Sequence, residues 1–467
     1  MLPNDVLLKI FDFHVDHDTD EDFGRIEKTR IEVWITLTHV CRRWRSVVFY
    51  SPRHFNLRLV CTPKTPARDT LDIWPPLPLI ICDRYCNDTS DMALVDNTIA
   101  ALEHNDRVCK IDLGCGLGSQ LKYLANSAAM QKPFPELTDL RLYGPRVKLI
   151  PDSFLGGTAL RLRSLRLGGI LLPGLPKLLL SATHLIHLDL DITFQYIPPE
   201  AMATSLSALT NLESLCIHFL PPPVLEIRRL PPPLTRSILP SLTKIEFNGP
   251  DEYLEEILAR IDATQLNKMD ILFFHEMTFD TPQLFQFISR RPTLMAPEKG
   301  LLTFNSDATI FKFSSQASVY GELRVKILLA ASEWEYSSVE HDWISSLYPV
   351  PALKDLYIFE DRADPPEWQD DDTLWLDFLR SLIALKNLYV SEKIVARIVP
   401  ALQELVGGRT LENIFLEGFQ PSGYLHEGIE KFVAARQLTS HPVALFHWDE
   451  GSIQEEMRQY EIDNRGG

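Results

Sequence analysis

From about residue 106 onward the hydrophobic positions follow one recurring pattern, leucine-x-x-leucine-x-leucine, usually introduced by proline. The clearest copies run from Leu137 to Leu142, Leu162 to Leu167, Leu185 to Leu190 and Leu212 to Ile217. More degenerate copies run from Leu242 to Phe247, Leu266 to Ile271, Leu353 to Ile358, Leu385 to Val390 and Leu411 to Leu416. Counted at the fourth position from Leu140, successive spacings are 25, 23, 27, 30 and 24 residues, the length of one strand and its return helix. Between copies, Leu206 with Leu209, Tyr253 to Leu258 and Phe378 to Leu382 carry apolar residues at helical spacing. The pattern predicts an α/β solenoid, with short parallel strands inside and helices outside. Copies between about 275 and 350 are too degenerate to count.

Within each copy the leucines point into the core, so the alternating residues face solvent on the inner side of the strands. They form a candidate binding stripe: Asp139 and Arg141, Ser164 and Arg166, His187 and Asp189, Ser214 and Cys216, Lys244 and Glu246, Asp355 and Tyr357, Asn387 and Tyr389, Asn413 and Phe415. Any one of them alone is an ordinary strand residue. Together they fit a partner along a concave surface. The positions favoured for a target are Arg141, Arg166, His187, Asp189, Lys244, Glu246, Tyr357, Tyr389 and Phe415.

The amino-terminal pattern is different. Leu2, Pro3, Val6, Leu7, Ile10 and Phe11 fall at helical spacing behind a proline suited to a helix start. An acidic connector is expected next, with Asp12, Asp16, Asp18, Asp20, Glu21 and Asp22. Trp34, Leu37, Val40, Cys41, Trp44, Val47 and Val48 then recur at steps of three and four among Arg42, Arg43 and Arg45, up to Ser51 and Pro52. Short helices of this kind cannot bury their stripes within ~50 residues, so the surplus apolar face should dock onto something else. Residues 57–105 are punctuated by prolines 63, 66, 75, 76 and 78 and hold one apolar run, Leu77 to Cys82, that reads as a buried strand. The domain boundaries expected are 1–56, a proline-rich transition 57–105, the solenoid 106–448 and an acidic tail 449–467.

Composition narrows the function classes. The 467 residues include 70 leucines, and 46 basic against 63 acidic residues give a net charge of -17. A field of that sign repels phosphates, so neither nucleic acid nor an anionic membrane is expected as a partner. The length exceeds one ordinary core, and the composition is that of a globular chain. Seven scattered cysteines suggest no disulfide framework and point to a reducing compartment, the cytosol or nucleus. Met1 to Asp5 lacks the basic stretch and apolar run of a secretory signal, and the leucine-rich run Ile170 to Ile186 is broken by Pro173, Pro176 and Lys177.

Leu2-Pro3, then Leu7 to Phe11, then Leu37-Thr38-His39-Val40-Cys41-Arg42-Arg43-Trp44-Arg45, then Ser51-Pro52 and Phe55 resemble an F-box. The link from Asp12 to Glu32 is longer than in the shortest members, and His54-Phe55 stands where a leucine-tryptophan pair is commoner. The resemblance implies that the segment binds the Skp-type adaptor of a cullin-RING ubiquitin ligase through Leu2, Pro3, Leu7, Ile10, Phe11, Val40, Cys41, Trp44 and Pro52. With its degenerate leucine-rich repeats, the whole chain resembles the large group of F-box proteins of mushroom-forming fungi, as do Cys61 to Arg68, Phe134 to Leu140 and Thr281 to Ile288. It implies a non-catalytic substrate adaptor without cofactor, whose repeats hold an unnamed target protein. A repeat scaffold with a vestigial F-box is the alternative.

One segment argues for an enzyme instead. Ile111-Asp112-Leu113-Gly114-Cys115-Gly116-Leu117-Gly118 reads as a strand entering a glycine turn and then a helix from Leu121 to Met130, and resembles the nucleotide turn of S-adenosylmethionine-dependent methyltransferases. Such a site needs an acidic residue at the end of the following strand, about 20 residues on. Here that strand ends in Tyr143-Gly144-Pro145, and Val108 to Leu113 itself fits the repeat. His14, Asp16, His17 and Asp18 lack a second group of metal ligands, and Cys82 with Cys86 lacks a second pair. The proline runs at 221–223 and 231–233 suggest an extended excursion, and Glu360 to Asp372 an acidic insertion.

Overall fold

The computed structural model describes residues 2–16, 37–50, 58–72, 76–83, 92–114, 120–147, 151–192, 197–219, 235–274, 282–291, 298–304, 308–314, 322–328, 352–360, 373–405, 410–417, 424–439 and 441–448. It is a mixed α/β structure that divides into two compact units, Met1–Leu212 and Glu213–Gly467.

The first unit opens with helix α1, Asn4–Asp16. Pro3 precedes it, and the Pro3 carbonyl accepts the Leu7 N–H at 3.1 Å. No glycine or proline interrupts residues 12–16, so the helix runs through Asp12 and Asp16, where a connector was expected. A helical turn at 37–40 leads into helix α2, Arg42–Tyr50. The two helices bury Leu7, Phe11, Leu37, Val47 and Val48. The Phe11 and Trp44 rings meet edge to face at 4.8 Å, and the Arg43 guanidinium donates to the Leu2 carbonyl and the Asn4 side chain.

Six parallel strands follow in chain order: β1 (Leu59–Cys61), β2 (Leu79–Cys82), β3 (Val108–Leu113), β4 (Asp139–Val147), β5 (Ser164–Ile170) and β6 (His187–Asp191). The sheet thus starts inside the proline-rich stretch, with the expected buried strand as β2. Its register aligns the leucines. Ile111, Leu140, Leu165 and Leu188 form one buried row, and Leu113, Leu142, Leu167 and Leu190 the next. Helices at Met92–Leu102, Leu175–Ser181 and Pro199–Leu206 return the chain between strands. The helix expected from Leu121 to Met130 stops at Ala125. Ser127 ends it, because its Oγ accepts the Met130 N–H at 3.4 Å while its carbonyl accepts the same donor in a tighter turn.

The second unit holds β7 (Ser214–His218), β8 (Ser237–Ile238), β9 (Lys244–Gly249), β10 (Ile261–Asp262), β11 (Lys268–Phe274), β12 (Lys299–Phe304), β13 (Ala308–Ser314), β14 (Glu322–Leu328), β15 (Asp355–Glu360), β16 (Asn387–Val390), β17 (Asn413–Glu417) and β18 (Ala444–Trp448). Its main sheet runs β7-β9-β11-β14-β13-β12-β15-β16-β17-β18, and β8 pairs only with β10. Parallel order breaks once. Strands β12, β13 and β14 form an antiparallel meander whose ends pair in parallel with β15 and β11. This is the region where the repeat could not be counted. Only three residues of sequence separate β12 from β13, too few for a helical return, so the two strands pair antiparallel.

One backbone joint recurs in both units. The Thr138 carbonyl accepts the N–H groups of Arg163 and Ser164 at 2.8 and 3.1 Å, and the Arg163 carbonyl those of Ile186 and His187 at 2.7 and 2.9 Å. Glu213, Thr243, Glu298, Lys354 and Lys386 each do the same for two consecutive residues of the next strand's start. Each joint places the polar position just before its strand opposite its counterpart, which fixes the facing of every residue that follows.

Two glycines make room for one side chain. A Cβ on Gly168 would lie 2.3 Å from the Tyr143 ring, and one on Gly114 would lie 2.6 Å from the Tyr143 carbonyl oxygen. Gly168→Ala should therefore lose about 1–3 kcal/mol in urea unfolding. A Tyr143→Ala background should remove most of that cost for Gly168→Ala but leave it for Gly114→Ala, whose obstacle includes backbone. Equal costs in both backgrounds would contradict this packing.

Candidate functional site

Two surfaces collect the residues singled out by sequence. The first is the helix pair. Leu7 and Phe11 are buried between α1 and α2, and Trp44 is half-buried against Phe11, so these three hold the pair together from within. Leu2, Pro3, Ile10, Val40 and Cys41 remain exposed, and Val6 joins them. Val40 is 58% exposed and Leu2 51%, high values for aliphatic side chains. Pro52, Ser51 and Phe55 lie outside the described residues.

The second surface is the solvent face of the strands. In the first unit the register brings Asp112, Arg141, Arg166 and Asp189 into one row. Beside it runs a row of Lys110, Asp139, Ser164 and His187. Arg141 approaches the buried Asp112 carboxylate at 3.8 Å. Tyr143, which the sequence stripe missed, follows Arg141 on the same face. Its phenol is pushed up first by burial and then by the Asp189 charge, with Arg141 and Arg166 acting the other way. Both signs of charge occur along this face, with Arg141 and Arg166 flanked by Asp112 and Asp189, so it offers no large field of one sign.

Gly114, the first glycine of the suspected nucleotide turn, donates its N–H to Asp83 Oδ2 at 2.7 Å. Its small size serves the approach of Tyr143. Residues 115–119, with Gly116 and Gly118, lie outside the described residues, as do His17, Asp18, Cys86, the proline runs at 221–223 and 231–233, and 449–467.

In the second unit, Lys244 and Glu246 lie on one strand and meet at 3.0 Å, with His218 Nε2 3.9 Å and Cys216 Sγ 3.8 Å from the Glu246 carboxylate. Burial works against the ionised Glu246, but the hydrogen bond and charge of Lys244, with His218 and Cys216, outweigh it and hold the carboxyl below its ordinary value. Burial likewise opposes the Lys244 ammonium, and Glu246 outweighs it.

Further along, aromatic residues stack in register. Tyr357 and Tyr389 rings lie 4.1 Å apart at 9°, Tyr389 and Phe415 4.3 Å apart at 9°, and Phe415 and Phe446 5.0 Å apart at 19°. Parallel strands about 4.8 Å apart impose that spacing on identical positions, which is close to ring thickness. Alongside, Asn387 Nδ2 donates to Asp355 Oδ1 at 2.6 Å and Asn413 Nδ2 to Asn387 Oδ1 at 2.7 Å. Phe446 was missed, because Val443 to Trp448 lacks the leucine pattern. The only available signal was the alternation of Val443, Leu445 and His447 with Ala444, Phe446 and Trp448.

Glu360, expected in an exposed acidic insertion, ends β15 in the core. Arg397 Nη1 donates to its carboxylate at 3.2 Å from helix Glu392–Glu404, and the Glu360 N–H donates to Ser391 Oγ. The Arg397 charge is what permits a buried carboxylate there. Residues 361–372 lie outside the described residues.

Among the described residues no cluster of three potential metal ligands occurs, and no helix is long and apolar enough to cross a membrane. Cys41, Cys61, Cys82, Cys109 and Cys216 are free thiols; burial pushes Cys61 up to about 11 and Cys109 upward, so these two are poor nucleophiles. No protein-family model and no curated protein sequence matches the chain.

The Glu246 cluster carries a pH signature. A carboxyl held low stabilises the fold fully above its unfolded pKa and loses that contribution as pH falls through its folded value. Lys244, held high, contributes below its unfolded pKa and loses it as pH rises through the folded one. The pair is partly exposed, so Lys244→Met should cost about 0.5 kcal/mol near neutrality. In urea unfolding, the variant's and the wild type's stability curves should converge on acidification. Parallel curves down to acid pH would contradict the pairing.

Proposed function

We propose that the chain is a substrate-recognition adaptor of an SCF-type cullin-RING ubiquitin ligase, working in the cytosol or nucleus. In this reading residues 1–56 are an F-box that binds the Skp-type adaptor, and the strands and helices that follow are a leucine-rich-repeat-like solenoid that holds a target protein. The chain performs no chemistry. It brings the target near a transfer site carried by other subunits, where tethering raises the effective concentration of the reacting groups.

The observation that carries the reading is the division of labour in the helix pair. Leu7, Phe11, Val47 and Val48 are used up in packing, while Leu2, Val6, Ile10 and Val40 stay exposed. That pattern suits a small two-helix unit whose remaining apolar face is desolvated by a partner. The strand face supports the second half of the reading, since its half-buried Tyr357, Tyr389 and Phe415, with Arg141 and Arg166, are residue types enriched at interfaces.

Purified chain and Skp-type adaptor should co-elute, and calorimetry should report a defined stoichiometric complex. Ile10→Ala with Val40→Ala should weaken binding by about 2 kcal/mol or more with circular dichroism unchanged, because both side chains are exposed. Trp44→Ala is the wrong probe on its own, since it also removes the Phe11 contact. A folded wild-type chain that fails to bind, or a double variant that binds undiminished, would overturn the assignment.

A further inference from the structure

The aromatic ladder of the second unit is unfinished at one end. Tyr357, Tyr389 and Phe415 each have ring neighbours on the ladder, but among the described residues Phe446 is stacked on its Phe415 side alone, and it is 45% exposed. Its strand β18 is the last in the sheet order and pairs, among the described residues, with β17 alone. Among the described residues, one backbone edge of β18 and one ring face of Phe446 are therefore uncovered in the same direction. Ala444 and His447 on this strand are exposed too.

An open strand edge accepts an extended segment, whose backbone completes the ladder of hydrogen bonds and whose alternate side chains fall in register with those of the strand. The side chain opposite Phe446 would be the next rung of the stack. A planar group fits there, and the charge selects which one. Glu417 lies on the same face as Phe415, two residues on, in a chain of net charge -17. A guanidinium is planar, stacks on a ring face and is cationic.

We propose that the free edge of β18 takes up an extended, arginine-bearing segment of the target as one further strand, with the arginine stacked on Phe446. This rests on the reading of the strand face as the target-binding surface, and is independent of the adaptor reading.

The test uses the full chain and labelled short peptides of alternating threonine and valine with one central arginine, leucine or glutamate. A further arginine version is N-methylated at alternate amides. In fluorescence anisotropy the arginine peptide should bind about fivefold more tightly than the leucine peptide, the size of one exposed cation-π contact, and the glutamate peptide most weakly. N-methylation should abolish binding. Phe446→Ala, which gives up the Phe415 contact and should lower the thermal unfolding midpoint slightly while the chain stays folded, should erase the arginine preference, and Phe446→Trp should keep it. Failure of every peptide to bind, a preference that survives Phe446→Ala, or indifference to N-methylation would overturn the proposal. So would a wild-type dimer dissolved by Phe446→Ala, which would give the edge to a second copy. Co-elution with the adaptor, run on the same samples, separates the two readings: peptide selectivity without adaptor binding leaves this one standing, and the reverse removes it alone.

Discussion

The structure depends on one repeated backbone joint. A single carbonyl just before seven of the strands, those of Thr138, Arg163, Glu213, Thr243, Glu298, Lys354 and Lys386, accepts two consecutive N–H groups of the strand that pairs next. Strand pairing alone leaves slippage open, and a slip of one residue turns every leucine outward. The double acceptor removes that freedom at these strand starts. From it follow the buried rows Leu140-Leu165-Leu188 and Leu356-Leu388-Ile414, and equally the exposed rows that alternate with them.

The same register explains why the exposed rows differ in character. Where arginines and aspartates occupy equivalent positions, they face each other and neutralise locally, as Arg141 does with Asp112. Where aromatic residues occupy them, strand spacing brings the rings into contact, and the amides of Asn387 and Asn413 form a second ladder beside them. On the proposed reading, the helix pair supplies attachment to a ligase and these rows supply recognition. The two tasks fall on separate parts of the chain, so either can vary without disturbing the other.

Much of this was legible in sequence, for a physical reason. Leucines at fixed intervals report burial, and burial determines which residues face out; Tyr357, Tyr389 and Phe415 were identified in that way. The same logic missed what burial does not announce. Val443 to Trp448 builds a strand whose one leucine, Leu445, has no partner at repeat spacing, so Phe446 was passed over. Glu360 and Arg436 look like surface residues until their buried partners appear, Arg397 for one and the Leu411 carbonyl for the other. The antiparallel meander of β12 to β14 has no repeat to reveal it. In the helix pair, periodicity identified the apolar stripe but not its division, because only packing shows that Phe11 turns toward Trp44 while Ile10 turns away.

The central claim is that the exposed apolar face of the helix pair is the attachment surface. Hydrogen exchange on the chain alone and with a saturating Skp-type adaptor tests it most directly. The account predicts new protection confined to residues 2–11 and 37–50, with the strands from β1 to β18 unchanged. Protection that appears in the strands while the helix pair exchanges as before would contradict it.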